Sequence, residues 1–259
     1  MSAILETRDV VMTFGGITAV NQLSMRIEQG TISSLIGPNG AGKTTVFNVI
    51  TGFYKPTSGS VTFGGKDITG LPPHLVCQCG IARTFQNIRL FTGATVLQNV
   101  VTACRVRQKS PWWAAPLFLP SFCREEREIR ARSLDLLDSV GLRHLADAEA
   151  VSLPYGAQRR LEIARALATQ PKFLLLDEPA AGMNPQESES LMGFIRDIRD
   201  RFSLTILLIE HDMKVVMGIS EWIRVLDYGH LIAEGTPSEI RANPRVIEAY
   251  LGKEAAGNA

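Results

Sequence analysis

Residues 37–44 read Gly37-Pro38-Asn39-Gly40-Ala41-Gly42-Lys43-Thr44, with Thr45 next. The pattern fits G-x-x-x-x-G-K-[ST]. Its glycines let the backbone wrap a phosphate chain, so that amide N–H groups point inward at a helix N-terminus. Lys43 carries the charge to neutralise β- and γ-phosphates, and the Thr44 hydroxyl is a ligand for Mg²⁺. Asp177 and Glu178 form an adjacent carboxylate pair after the apolar run 173–176. Such a pair divides the labour: Asp177 holds Mg²⁺ through its water shell, and Glu178 polarises an attacking water. His211 follows Glu210 just past the apolar run 204–209. It is the third polar residue delivered to the same edge, and it reads as a γ-phosphate contact.

These side chains need a frame that brings three chain segments together. Three short apolar runs, 32–36, 173–176 and 204–209, are continuous, not alternating. Such runs fit parallel strands covered on both faces, and ligands bind at the carboxyl ends of strands in open α/β sheets. Helical patterns over 43–51 and 187–201 follow the first two runs. The early segments alternate in period two, with Leu5, Thr7 and Asp9 against Ile4 and Val10, then Leu23, Met25 and Ile27. Turn signals at Gly15-Gly16, Glu28-Gln29-Gly30 and Gly64-Gly65 separate them, as in a small antiparallel sheet. Residues 87–151 read as mostly helical, with an apolar stripe at Leu134, Leu137 and Val140. Gln86, in Arg83-Thr84-Phe85-Gln86-Asn87, marks the junction between the core and this insert. Phe14, beside Gly15-Gly16, is an aromatic in a turn with two readings, a face on which adenine can stack and, favoured by the residues alone, ordinary packing. Near the end, Thr236-Pro237-Ser238-Glu239 is a capping box with Pro at the first helical position.

The 27 basic and 26 acidic residues leave a net charge of +1, which argues against a dedicated nucleic-acid surface. The start, MSAILETRDV, lacks the basic region and apolar core of a signal peptide. No apolar run reaches the ~20 residues that span a bilayer, so a soluble, cytoplasmic chain is expected. Cys77, Cys79, Cys104 and Cys123 lack zinc-ligand spacing and read as free thiols.

One further segment, 153–167, reads LPYGAQRRLEIARAL: a Gly-containing turn opening a basic helix shortly before FLLLDEP. With the phosphate loop, Gln86, this segment, the carboxylate pair and His211 in that order, the chain resembles the ATP-binding subunit of ABC transporters over about residues 4–251. The resemblance implies an α/β fold: a P-loop NTPase with a RecA-like core, an antiparallel β subdomain and an inserted α-helical subdomain. The division expected is 1–86 and 160–235 for the nucleotide-binding core with its β subdomain. Residues 87–159 form the helical subdomain with the signature loop, and 236–259 a C-terminal helical extension. ATP and Mg²⁺ are the implied substrate and metal. ATP is expected between one subunit's phosphate loop and the other's signature in a head-to-tail dimer. Gln86 matches the glutamine near Mg²⁺ that couples to the membrane subunit. Phe14 matches the aromatic that stacks on adenine, and Val20 the apolar residue beside it.

The departures narrow the resemblance. The common signature is L-S-G-G-Q, whereas Leu153-Pro154-Tyr155-Gly156-Ala157 keeps only the first Leu and the second Gly. Pro154 removes a hydroxyl that would bond the partner's γ-phosphate. Gly156, with its backbone N–H, and the positive end of a helix carrying Arg159 and Arg160 remain. Two unequal ATP sites are expected where the partner keeps an intact signature. Asn184 stands where the next loop usually has Asp. The runs LxYGxQRRLEIAR, EPAAGMNP and ARTFQNIRLF and the ending AYLG are similar to the G-type ATPases of branched-chain amino acid importers and their urea and short-amide relatives. That subgroup implies a second, F-type ATPase as heterodimer partner, with a homodimer as the alternative in isolation. It also implies two membrane permeases, a periplasmic binding protein acting indirectly, and a peripheral place on the cytoplasmic face of the bacterial inner membrane. Rival readings are a lipopolysaccharide-export ATPase, where a serine-containing signature is expected, and a soluble ABC protein acting outside transport. The Pro/Trp-rich segment 111–122 has two readings, a contact with permease or membrane and internal packing of the insert.

Overall fold

The computed structural model describes residues 2–108, 110 and 119–256. Residues 111–118, the bulk of the Pro/Trp-rich segment, lie outside the described residues. The chain packs as two compact units, Met1–Arg83 with Lys172–Ala259, and Thr84–Pro171.

The first unit opens with β1 (Ala3–Phe14), β2 (Ile17–Glu28), β3 (Ile32–Ile36), α1 (Lys43–Ile50), β4 (Ser58–Phe63), β5 (Lys66–Asp67), α2 (Pro73–Cys79) and β6 (Ile81–Arg83). The second unit holds α3 (Val96–Cys104), α4 (Pro120–Ser139) and α5 (Tyr155–Ala168). The first unit then resumes with β7 (Phe173–Asp177), α6 (Pro185–Phe202), β8 (Thr205–Ile209), α7 (Met213–Ile219), β9 (Trp222–Asp227), β10 (His230–Gly235), α8 (Pro237–Ala242) and α9 (Pro244–Ala256).

Two sheets build the first unit, one in the order β2-β1-β4-β5 and one in the order β10-β9-β3-β8-β7-β6. The small sheet is antiparallel. Its alternation breaks at Asp9, which is exposed with φ +45°. The register against β2 shifts there, between Thr7 and Val10. Leu5 and Thr7 point inward, and the bulge then turns Val10 and Met12 to the core. In the large sheet, β9, β3, β8, β7 and β6 run parallel, and only β10 is antiparallel to its neighbour. Every residue of β3, β7 and β8 is buried, the state expected of strands covered on both faces. The run 32–36 is nevertheless not continuously apolar, since Ser33 and Ser34 lie within it and are buried. This order places β8 between β3 and β7.

A second cluster of buried side chains joins Ile36, at the end of β3, to Val216, Val225, Ile240 and Val246, with Tyr250 packed on it. Burial pushes the Tyr250 hydroxyl up to about 12, against a hydrogen bond from the Gly37 backbone. The capping box at Thr236 forms as read, with Thr236 Oγ1 accepting from the Glu239 N–H.

In the second unit, α5 packs against both α3 and α4. The whole helix therefore falls in this unit, which runs to Pro171 and not to 159.

Candidate active site

The phosphate loop leaves β3 at Gly37 and enters α1 at Lys43. Gly37 has φ +151°, and a Cβ built there would lie 2.1 Å from the Leu226 carbonyl oxygen. Gly42 has φ +100°, and its Cβ would lie 2.3 Å from the Ala19 carbonyl oxygen. No side chain caps the first turn of α1, so its amides are available to an anion. Lys43 is buried, and its Nζ donates to the carbonyls of Gly37 at 2.7 Å and Pro38 at 3.0 Å. Asn39, Gly40 and Thr44 are exposed, Thr45 half-buried, and Pro38 and Ala41 buried beneath them.

Phe14 is 40% exposed, and Tyr54 meets its ring edge-on at 5.2 Å. Val20, by contrast, is wholly buried in the core. Its Cγ2 would lie 3.6 Å from a Cβ at Gly42, so Val20 supports the loop from beneath.

Asp177 ends β7, and Glu178 turns the chain out of the sheet. The Glu178 φ of +46° is rare for a side chain of this size. The turn is held by its N–H donating to the Ile209 carbonyl of β8 at 2.9 Å. His211 leaves the end of β8, and its Nδ1 lies 3.7 Å from Glu178 Oε2. The structure thus brings Glu178 and His211 together on adjacent strand ends, with the loop on β3 next to them in the sheet. His211 is 64% exposed along its side chain and Glu178 22%.

The second unit carries Gln86, the signature loop and α5. Arg159 is fully buried. Its guanidinium donates to the Phe85 carbonyl at 2.9 Å and the Gln86 carbonyl at 3.0 Å, and pairs with Glu162 at 2.7 Å. Arg159 is therefore no surface charge for a phosphate, contrary to the sequence expectation; it fixes the backbone at Gln86. Burial raises the Glu162 carboxyl above its usual range, opposed by Arg159. The Gln86 side chain is exposed. Pro154 is the N-cap of α5 with no side-chain cap bond, and Tyr155 is 45% exposed. A Cβ on Gly156 would meet nothing within 4 Å, so nothing in this chain demands glycine there. The Ala157 N–H donates to the Pro154 carbonyl at 2.9 Å.

Residues 20–181 match the family described as ABC transporter, and residues 230–256 the one described as branched-chain amino acid ATP-binding cassette transporter. The chain belongs to the ABC transporter family. It is 49% identical to the high-affinity branched-chain amino acid transport ATP-binding protein LivG of Salmonella typhimurium, over 96% of this chain and 98% of that one. It is 48% identical to BraF of Pseudomonas aeruginosa, described in the same words, over the same shares. A solved nucleotide-free ATP-binding cassette from an ABC transporter aligns with TM-score 0.84 and 34% identity, over 96% of this chain and 99% of that one.

As an ABC ATPase, the chain binds and hydrolyses ATP, and its P-loop NTPase fold is the one its sequence resemblance implied. Several residues of the site gave no signal in the sequence. Arg83, at the end of β6, pairs with Asp177 at 2.7 Å and donates to Asn48 of α1 at 2.6 Å. Tyr54 behind Phe14 and Glu210 beside His211 are the others. Asn184 accepts the Glu187 N–H at 3.0 Å in a capping box that starts α6. Among the described residues, no helix is long and apolar enough to cross a membrane.

Proposed function

We propose that this chain is the ATP-hydrolysing subunit of an importer for branched-chain amino acids. Support for the solute comes from the named activity of LivG and BraF, at 48–49% identity across nearly the whole chain. Support for the chemistry comes from one observation, the 3.7 Å approach of Glu178 to His211 beside the phosphate loop.

In this reading Phe14 stacks on adenine, and the loop N–H groups from Asn39 to Thr45 hold the phosphates with Lys43, while Gly37 and Pro38 shape the turn. Glu178 takes a proton from the water that attacks the γ-phosphorus, and the β–γ bridging oxygen leaves on ADP. His211 holds the γ-phosphate in line. Thr44 and Asp177 would hold Mg²⁺ through oxygen donors, the class it prefers, and the family resemblance adds Gln86 as a further donor. When bound, Mg²⁺ neutralises charge on the phosphates. The signature residues Pro154, Tyr155, Gly156 and Ala157, with Asn184, face the ATP of a second ATPase subunit, an F-type partner. A glycine at 156 that its own chain does not require fits a phosphate approaching from that partner. The assembly sits peripherally on the cytoplasmic face of the inner membrane with two permeases and a binding protein.

Glu178→Gln tests the assignment, because an amide cannot act as the base. In the reconstituted transporter the variant is expected to bind ATP with wild-type affinity while ATP hydrolysis and leucine uptake stop. Wild-type turnover in that variant would remove Glu178 from the mechanism.

A further inference from the structure

Glu210 is a carboxylate with a fully buried side chain, placed between the two proposed reacting segments. Its Oε1 accepts the Ala180 N–H at 2.8 Å, and its Oε2 accepts the His211 N–H at 3.1 Å. The same Oε2 lies 3.9 Å from His211 Nδ1, too far for a hydrogen bond. Ala180 lies two residues past Glu178 on the loop leaving β7, and His211 begins the loop leaving β8. One buried side chain therefore holds both loops by their backbones.

Burial raises the Glu210 carboxyl above its usual range. The amides of Ala180, His211 and Asp212 and the His211 ring oppose that shift. A buried carboxylate is costly to keep unless donors surround it, and a neutral side chain would fill this space without that cost. What the carboxylate adds is two acceptor oxygens on one rigid plane.

We propose that Glu210 is a positioning residue for hydrolysis, a clamp that makes the Glu178 loop and the His211 loop move as one piece. The proposal rests on the roles given to Glu178 and His211 above. It acts on the spacing of the base and the γ-phosphate contact, and it leaves ATP binding by the loop on β3 untouched.

Two variants and one wild-type measurement test it in the assembled transporter. In Glu210→Gln the amide group turns one acceptor into a donor facing an N–H. In Glu210→Asp the charge stays but the side chain is too short to bridge. Each is expected to lower kcat by about tenfold or more, with KM for ATP within about twofold. Full activity in Glu210→Asp, or KM rising in step with the loss of kcat, would overturn the clamp. In the wild-type protein, the Ala180 and His211 amides are expected to show one common protection factor against hydrogen exchange and to lose it together as denaturant is raised. Clearly different protection factors would overturn it even where a variant fails to fold. Turnover that survives His211→Ala would instead remove the role given to His211. Loss in His211→Ala with full activity in Glu210→Gln would remove the clamp alone.

Discussion

Behind the residues of the proposed site lie buried charges that touch them or their loops. Arg83 and Asp177 are each less than a tenth exposed along their side chains, and they meet at 2.7 Å. Removing one partner of such a pair strands the other charge in the interior, typically at a cost of about 3 kcal/mol or more. Arg83→Leu is therefore expected to lower stability by about that amount, read from the urea denaturation midpoint. A loss under about 1 kcal/mol would mean that Asp177 does not depend on Arg83. These buried charges also mark where sequence reading failed. Lys43, Asp177, Glu178 and His211 stood out because motif order and strand ends point to them. Arg159, Glu210 and Arg83 did not, because a charged residue beside a strand or on a basic helix looks the same whether it faces water or the core. Only the fold reveals that Arg159 points inward.

At the scale of elements, the strands that deliver the site were legible and their neighbours were less so. Apolar runs made β7 and β8 plain in the sequence, and β3 was legible despite Ser33 and Ser34 because the glycine-rich loop follows it directly. β9 escaped notice because Arg224, 4% exposed, interrupts its apolar run. The turn into β10 is made by Tyr228 and Gly229 at φ +43° and +80°, and Tyr-Gly is not one of the usual hairpin signals. The loop from Glu178 to α6 ends on Asn184, whose side chain caps the helix. Asn184→Ala is expected to cost about 1 kcal/mol in thermal or urea unfolding. Asn184→Asp, which restores the more common residue of related loops, caps equally well and is expected to leave stability unchanged. Any change in ATP turnover with Asn184→Asp then reports a contact outside this chain, and equal destabilisation by both substitutions would contradict the capping assignment.

Across the whole molecule, the last stretch of chain bears on the first motif. Residues 230–256 carry the branched-chain transporter match, and within them Ile240, Val246 and Tyr250 pack in the cluster that contains Ile36, the residue before Gly37. Deleting residues 244–259 removes Val246 and Tyr250 from that cluster. The expected loss is about 3 kcal/mol of stability from the apolar surface uncovered, together with a raised KM for ATP. Unchanged KM in a folded truncation would sever the tail from the loop. The loop itself is hemmed in by main chain: the carbonyl oxygens of Leu226 and Ala19 occupy the space that side chains at 37 and 42 would need. Every amino acid brings the same carbonyl, so no replacement at 19 or 226 makes room. A genetic selection that starts from Gly37→Ala or Gly42→Ala is accordingly expected to yield restored glycines and no compensating change at those neighbours. Neither codon can be rescued by changing the side chain of the residue whose main-chain oxygen crowds it.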